Sequence, residues 1–188
     1  MAYMMSEKYD RIAAEVLKAS ARNPIEIVRS VMHEDFVNMH GPEHHFLDGA
    51  AFLAAYKNAG GALDLPKSLE ALRERTVKMP GAMCGLWGVC GSVASIGAAL
   101  SVLHGTGPLS CDEFYKEQME YTSACLAEMS KIGGPRCCKR NAFLSIGIAA
   151  AFVKKKYGIQ MESGEITCEF TDWNEQCLKN RCPFFAKG

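Results

Sequence analysis

The sequence predicts a mainly α-helical bundle with a small Cys-rich C-terminal appendage, on three observations. Helical periodicity, punctuated by Pro, Gly and short polar residues, runs through most of the chain. The stretches MCGLWGVCGSVASIGAALSVLHG and NAFLSIGIAAAFVKKKYG are rich in small apolar residues and suit two central, buried helices. Beyond Gly158 that periodicity stops, and Cys168, Cys177 and Cys182 follow. The expected organisation is an α-helical domain over 1–158 and an appendage over 159–188 packed on it as a single structural unit.

Each element has its own signal. Ser6 is the candidate cap of a first helix to about Ala21, with Ile12, Ala13, Val16 and Leu17 on one face. Asn23-Pro24 opens a second, to about His33, with Pro in its first turn. A third runs from near Pro42 to Gly60-Gly61 and buries Phe46, Leu47, Phe52, Leu53 and Tyr56, and a fourth covers about Lys67 to Met79. Pro80-Gly81 breaks the chain before an uncharged helix expected to end at Gly105. Ser110 with Glu113 forms a capping-box pattern for a helix from Cys111 to about Lys131, stopped at Gly133-Gly134. Pro135 opens the last helix, whose lysines near Gly158 suit the negative end of the dipole. IQMESGEITCEF alternates enough to predict a short hairpin around Ser163-Gly164. Ser95-Ile96-Gly97-Ala98-Ala99 and Ser145-Ile146-Gly147-Ile148-Ala149 are alike, from either paired close-packing helices or shared Ala-rich composition.

Composition excludes several classes of function. With 188 residues, 48% hydrophobic, the chain can bury a core and is neither disordered nor a disulfide-dependent miniprotein. Its 21 basic and 21 acidic residues leave no basic excess for gripping nucleic acid. Between Lys78 and Asp112 no charged residue occurs, a length that could cross a bilayer. Its Gly, Ser, Ala and Cys content, without aromatic belts, reads instead as a buried helix, so no membrane partner is expected. The N-terminus lacks the apolar run of a signal peptide, which predicts a cytoplasmic protein. In that reducing compartment nine cysteines read as metal ligands or redox groups, and with ten Met they suit an organism that meets little oxygen. Neither a dinucleotide fingerprint nor a P-loop is present.

The cysteines fall into three groups, with Cys111 and Cys125 set aside as ordinary buried small hydrophobes. In GGPRCCKRN, Cys137 and Cys138 sit in the first turn of a helix beside Arg136, Lys139 and Arg140. That setting is expected to lower a thiol pKa and to hold a metal-bound thiolate, an attacking thiolate or an anionic substrate. In PGAMCGLWGVCG, Cys84 and Cys90 can face one centre only if Cys84 lies in the Gly-rich lead-in and Cys90 in the helix proper. Close helix packing with buried thiols explains the same glycines equally well. Cys168, Cys177 and Cys182-Pro183 look like a metal knuckle whose fourth position is open to substrate, water or a helical Cys. HGPEHHF gathers His40, Glu43, His44 and His45 as acid/base or metal-binding candidates, although Glu43 at a helix start is also explained by the dipole. Arg73, Arg75 and Lys78 read as a solvated face.

Together HGPEHHF, CGLWGVCG, GGPRCCKRN and QCLKNRCPFF resemble an uncharacterised prokaryotic Cys-rich family, a domain of unknown function found in anaerobic bacteria and methanogens. The resemblance covers most of the chain after about residue 37. Its members are sometimes joined to methyltransferase domains, which implies small-molecule or sulfur chemistry without assigning a reaction. The architecture is also loosely similar to cluster-dependent serine deaminases and cysteine desulfidases, where cysteines precede Gly/Ala-rich buried helices.

The leading expectation is an iron–sulfur protein, and a candidate lyase- or desulfidase-like enzyme acting on a small anionic substrate. Some of Cys84, Cys90, Cys137, Cys138, Cys168, Cys177 and Cys182 hold a 4Fe–4S cluster in this reading. His40, His44, His45 or Glu43 supplies acid/base chemistry, and Arg136 or Arg140 holds the substrate anion. One alternative is a zinc-stabilised binding module that docks on another enzyme such as a methyltransferase. Another is a thiol redox protein in which Cys137 or Cys138 cycles with a resolving Cys and a redox partner. The oligomeric state stays open, a homo-oligomer included.

Overall fold

In a computed structural model that describes residues 2–186, with side chains from Met5, the chain folds as a mainly α-helical bundle. The helices are α1 (Ala2–Lys18), α2 (Pro24–Met32), α3 (His44–Asn58), α4 (Leu65–Thr76), α5 (Met83–Leu86), α6 (Gly91–His104), α7 (Glu113–Ile132) and α8 (Cys138–Tyr157). Two 3-10 turns, Thr171–Trp173 and Lys179–Arg181, follow in the appendage.

The centre is α3. His44 through Tyr56 are all buried, so this helix is enclosed on every side rather than along one stripe. Around it stand α1, α2, α4, α6 and α8, and α7 packs outside against α6 and α8. The two small-residue-rich helices expected at the centre are therefore α3's neighbours. They do pack on each other, joined by a hydrogen bond between the hydroxyls of Ser92 and Ser145. Ser95 Oγ accepts from Gly49 N at 2.9 Å, and a Cβ at Gly49 would stand 2.9 Å from the Ser95 carbonyl oxygen. Glycine thus sets how closely α3 and α6 approach.

Several boundaries follow the local signals. Asn23 caps α2, accepting from Ile25 N at 3.0 Å with Pro24 in the first turn. Left-handed Gly105 and Gly158 end α6 and α8. Others differ. Ser6 lies inside α1, and its hydroxyl accepts from Arg73 at 2.7 Å instead of capping, while Leu17 is exposed. Arg73 accordingly belongs to a contact between α1 and α4, not to a free solvated face. Asp112, not Ser110, caps α7, because its carboxylate reaches both Phe114 N and Tyr115 N. Ser110 is occupied in the preceding turn, accepting from Gly107 N. The uncharged stretch is split into α5 and α6 at left-handed Gly88. Among the described residues no helix is long and apolar enough to cross a membrane.

The expected hairpin does not form, and no strand occurs among the described residues. The alternation has another cause: Met161 and Phe170 insert into the helical core while their neighbours face outward. Long-range contacts hold this extended chain, including Glu162 N to the Arg22 carbonyl at 3.0 Å and Cys168 N to the Phe184 carbonyl at 2.7 Å. Glu169 receives Arg29 of α2 and His33 at the C-terminal cap of that helix, and Phe184 meets Phe143 of α8 edge-on at 5.7 Å.

Candidate functional site

The start of α8 is the meeting point of the thiols. Cys137 caps the helix in an extended conformation, its sulfur accepting from Arg140 N at 3.4 Å, and Cys138 is the first helical residue. The guanidinium of Arg140 donates to the carbonyls of Gly133 and Pro135 at 3.2 and 3.1 Å. Arg140 thus clamps the loop that leads into α8. Arg136, on that loop, is exposed.

The break between α5 and α6 serves the same place. It puts Cys84 in the short helix and Cys90 at the cap of the next, rather than Cys84 in an irregular lead-in and Cys90 in the helix proper as expected; the break at Gly88 still lets both face one cavity. Asn141 of α8 donates to Cys90 Sγ at 3.2 Å. A Cβ at Gly91 would lie 2.1 Å from His45 Nε2, so the absence of a side chain there admits the imidazole.

Cys84, Cys90, Cys137 and Cys138 consequently line one small cavity with His44, His45, Asp48 and Asn141, and Arg136 stands at its edge. Cys84, Cys90, Arg136 and Asn141 also line a larger cavity of about 670 Å³, bounded by Leu126 and Met129 of α7 and by the loop that Arg140 clamps. That volume is within the range used for small ligands.

Asp48 is the residue the sequence reading missed. It is wholly buried, and neither carboxylate oxygen has a hydrogen-bond partner; the nearest cation candidate, His44 Nδ1, is 3.7 Å away. An acidic residue one helical turn after His44-His45, inside an otherwise apolar helix, was the available signal.

Behind this cavity runs a buried polar network. Glu43 accepts from Lys8 at 3.1 Å and from Asn38 N at 2.9 Å, which holds the loop before α3 and leaves Glu43 away from the cavity. Its carboxyl lies below the usual range: burial opposes ionisation, and the hydrogen bonds to backbone and Lys8 outweigh it. Lys139 is buried and donates to the Asn38 carbonyl at 3.0 Å, with His44 Nε2 at 3.3 Å. Burial pushes it down to about 8. His40 stands apart, between Asn174 Oδ1 at 3.1 Å and Cys138 N at 3.5 Å, linking the tail to α8. Burial holds His40 and His45 below the usual imidazole value.

The tail thiols gather elsewhere. Cys168, Cys177 and Cys182 line a second small cavity together with Cys137, enclosed by Phe170, Leu178, Phe184 and Phe185. Cys111 is exposed, unlike the buried thiol expected, whereas Cys125 is buried beside Tyr121.

One expectation is reversed. Burial raises the thiols of Cys90, Cys137 and Cys168, and carries Cys138 up to about 12. Desolvation outweighs the helix N-terminus and the nearby cations. As the side chains stand, no group of three or more His, Cys, Asp or Glu among the described residues could hold a metal ion. Ligation at either cavity therefore requires the thiols to turn inward and lose their protons.

Comparison with known proteins returns one finding. A family model described as a family of unknown function (DUF5714) matches residues 12–185. No curated protein and no solved structure matches.

Proposed function

The chain belongs to this family of unknown function, and from that premise we propose that it is an iron–sulfur protein whose 4Fe–4S cluster is held by Cys84, Cys90 and Cys138. The supporting observation is that these three thiols, from three separate segments, line one small cavity, and two of them, Cys84 and Cys90, also line a space of small-ligand size. Three thiolates leave one iron of a cubane free to act as a Lewis acid toward a bound hydroxyl, thiol or sulfide. The reaction class is an elimination, hydro-lyase- or desulfidase-like, on a small anionic substrate.

The chain's own groups divide the work. Arg136, exposed where both cavities meet, binds the substrate anion. Arg140, its guanidinium committed to carbonyls, positions the loop that carries Arg136. His45 and Asp48 face the thiol cavity and are the proton-transfer groups, while His44 and Lys139 link them to the buried network. His40 and Glu43 act as supports of the surrounding loops.

The test is iron, sulfide and zinc analysis with an absorbance spectrum on protein purified without oxygen. About four iron and four sulfide per chain, lost in Cys84→Ser and Cys138→Ser, are expected. A colourless chain that stays free of iron and sulfide after anaerobic reconstitution overturns the reading.

A second reading has its own support. Leu86 and Trp87, 76% and 65% exposed, stand beside the larger cavity, which suits a module that docks on another enzyme such as a methyltransferase. The thiol redox reading is weakened by the raised thiols of Cys137 and Cys138.

A further inference from the structure

The second thiol cavity differs from the first in lining and surroundings. Its free volume is about 10 Å³, room for roughly one water-sized sphere. Cys137, Cys168, Cys177 and Cys182 are its four thiols, and no His, Asp or Glu lines it. An all-sulfur set of four selects a soft, tetrahedral ion over hard cations.

The backbone around these sulfurs is arranged for thiolates. Cys137 Sγ accepts from Arg140 N at 3.4 Å and from Asn174 Nδ2 at 3.6 Å. Cys177 accepts from Lys179 N at 3.3 Å. At Cys177 the donor is two residues further on, so this thiol sits in a turn that folds its own backbone over the sulfur. Lys179 adopts φ +49°, a left-handed conformation that costs energy for a residue with a side chain. The same turn brings Cys182 N to the Lys179 carbonyl at 2.7 Å and so aligns Cys177 with Cys182. Such N–H donors orient metal-bound sulfur and spread its charge.

The segment also needs an anchor. From Ile159 to Ala186 it has no α-helix or strand, only the two 3-10 turns, and few of its side chains reach the core. So little buried apolar surface offsets only part of the entropy lost on ordering such a chain.

We propose that Cys137, Cys168, Cys177 and Cys182 form a tetrathiolate site for a single zinc ion that fastens the C-terminal tail to the start of α8. It is separate from the proposed cluster site. Binding exchanges protons for metal: four neutral thiols and Zn²⁺ give a doubly negative tetrathiolate and release four protons, with Arg140 beside the site offsetting part of that charge.

The test uses the full chain. Metal analysis of protein purified without oxygen is expected to find about one zinc per chain, retained in Cys84→Ser and lost in Cys177→Ser/Cys182→Ser. Loss of iron and sulfide, in place of zinc, from the tail variant overturns the proposal, as does a red, sulfide-free iron centre at these residues. Because the variant could fail to fold, metal-free wild-type protein is titrated with zinc alone. Saturation at one equivalent, release of about four protons and new protection of the tail from protease support the site. No uptake overturns it. Absence of iron with zinc bound at the tail defeats the cluster reading and leaves this one standing.

Discussion

The two thiol cavities lie at the same helix start and teach different things about how a fold prepares sulfur. The one beside the larger cavity brings thiols from three segments together with two imidazoles and an unpartnered carboxylate, and it shares Cys84, Cys90, Arg136 and Asn141 with a space of about 670 Å³. The one beneath the tail is closed by aromatic rings and supplied with N–H donors. Leaving buried polar atoms unpaired costs stability, and proteins retain that cost where a ligand meets it. Supplying N–H donors to the sulfurs, as at Cys137 and Cys177, does the opposite and favours a static ion.

The largest expected separation between the two is in metal content. Cys90→Ser should abolish iron and sulfide and leave zinc, while Cys168→Ser should lower zinc and leave iron, read by elemental analysis of the same preparations. If either variant loses both, the sites are not independent.

Gly91→Ala sharpens the first site alone. The added methyl would stand 2.1 Å from the His45 ring, so His45 must leave its place. A stability loss of about 1–3 kcal/mol in denaturant unfolding is expected. Gly85→Ala, where nothing lies within 4 Å of the new methyl, is the control.

Asp48→Asn should act in the opposite direction. Replacing a buried carboxyl that has no hydrogen-bond partner with a neutral amide should stabilise the metal-free chain by about 1–3 kcal/mol in the same measurement. An unchanged or lowered midpoint would show that Asp48 is satisfied in solution and would remove one contrast between the cavities.

The smallest effect lies outside both. Burial holds His104 below the usual imidazole value, and its ring stacks on Phe114 at 3.9 Å. A base whose folded pKa is depressed gives stability that is present above its unfolded pKa and is lost as pH falls through the folded value. Thermal midpoints should drop from pH 7 toward pH 5, and His104→Phe should drop less. His40 and His45 are shifted the same way, so part of the decline remains in the variant.

Much of the helical frame was legible because its signals are local. Asn23-Pro24, Gly105 and Gly158 do their work within one turn, and no distant contact overrides them. The cap of α7 was misplaced since Ser110 and Asp112 compete for the same end, and only the preceding turn decides which is free. In the tail, alternation was real but answered to helices instead of to a partner strand. The candidate thiols were all visible, yet their grouping was not. Spacing along a chain does not say that Cys138 joins Cys84 and Cys90 while Cys137 also meets the tail. Asp48 stayed hidden for a related reason, because a lone acid in a sequence shows its cost only once everything around it is packed.

Cys137 lines both cavities and precedes Cys138 by one peptide unit, about 3.8 Å between Cα atoms. During synthesis every residue that lines the first cavity leaves the ribosome before Cys168 does. The start of α8 is therefore made before the tail segment that covers it. Chain order therefore separates the two proposed sites in time as well as in space.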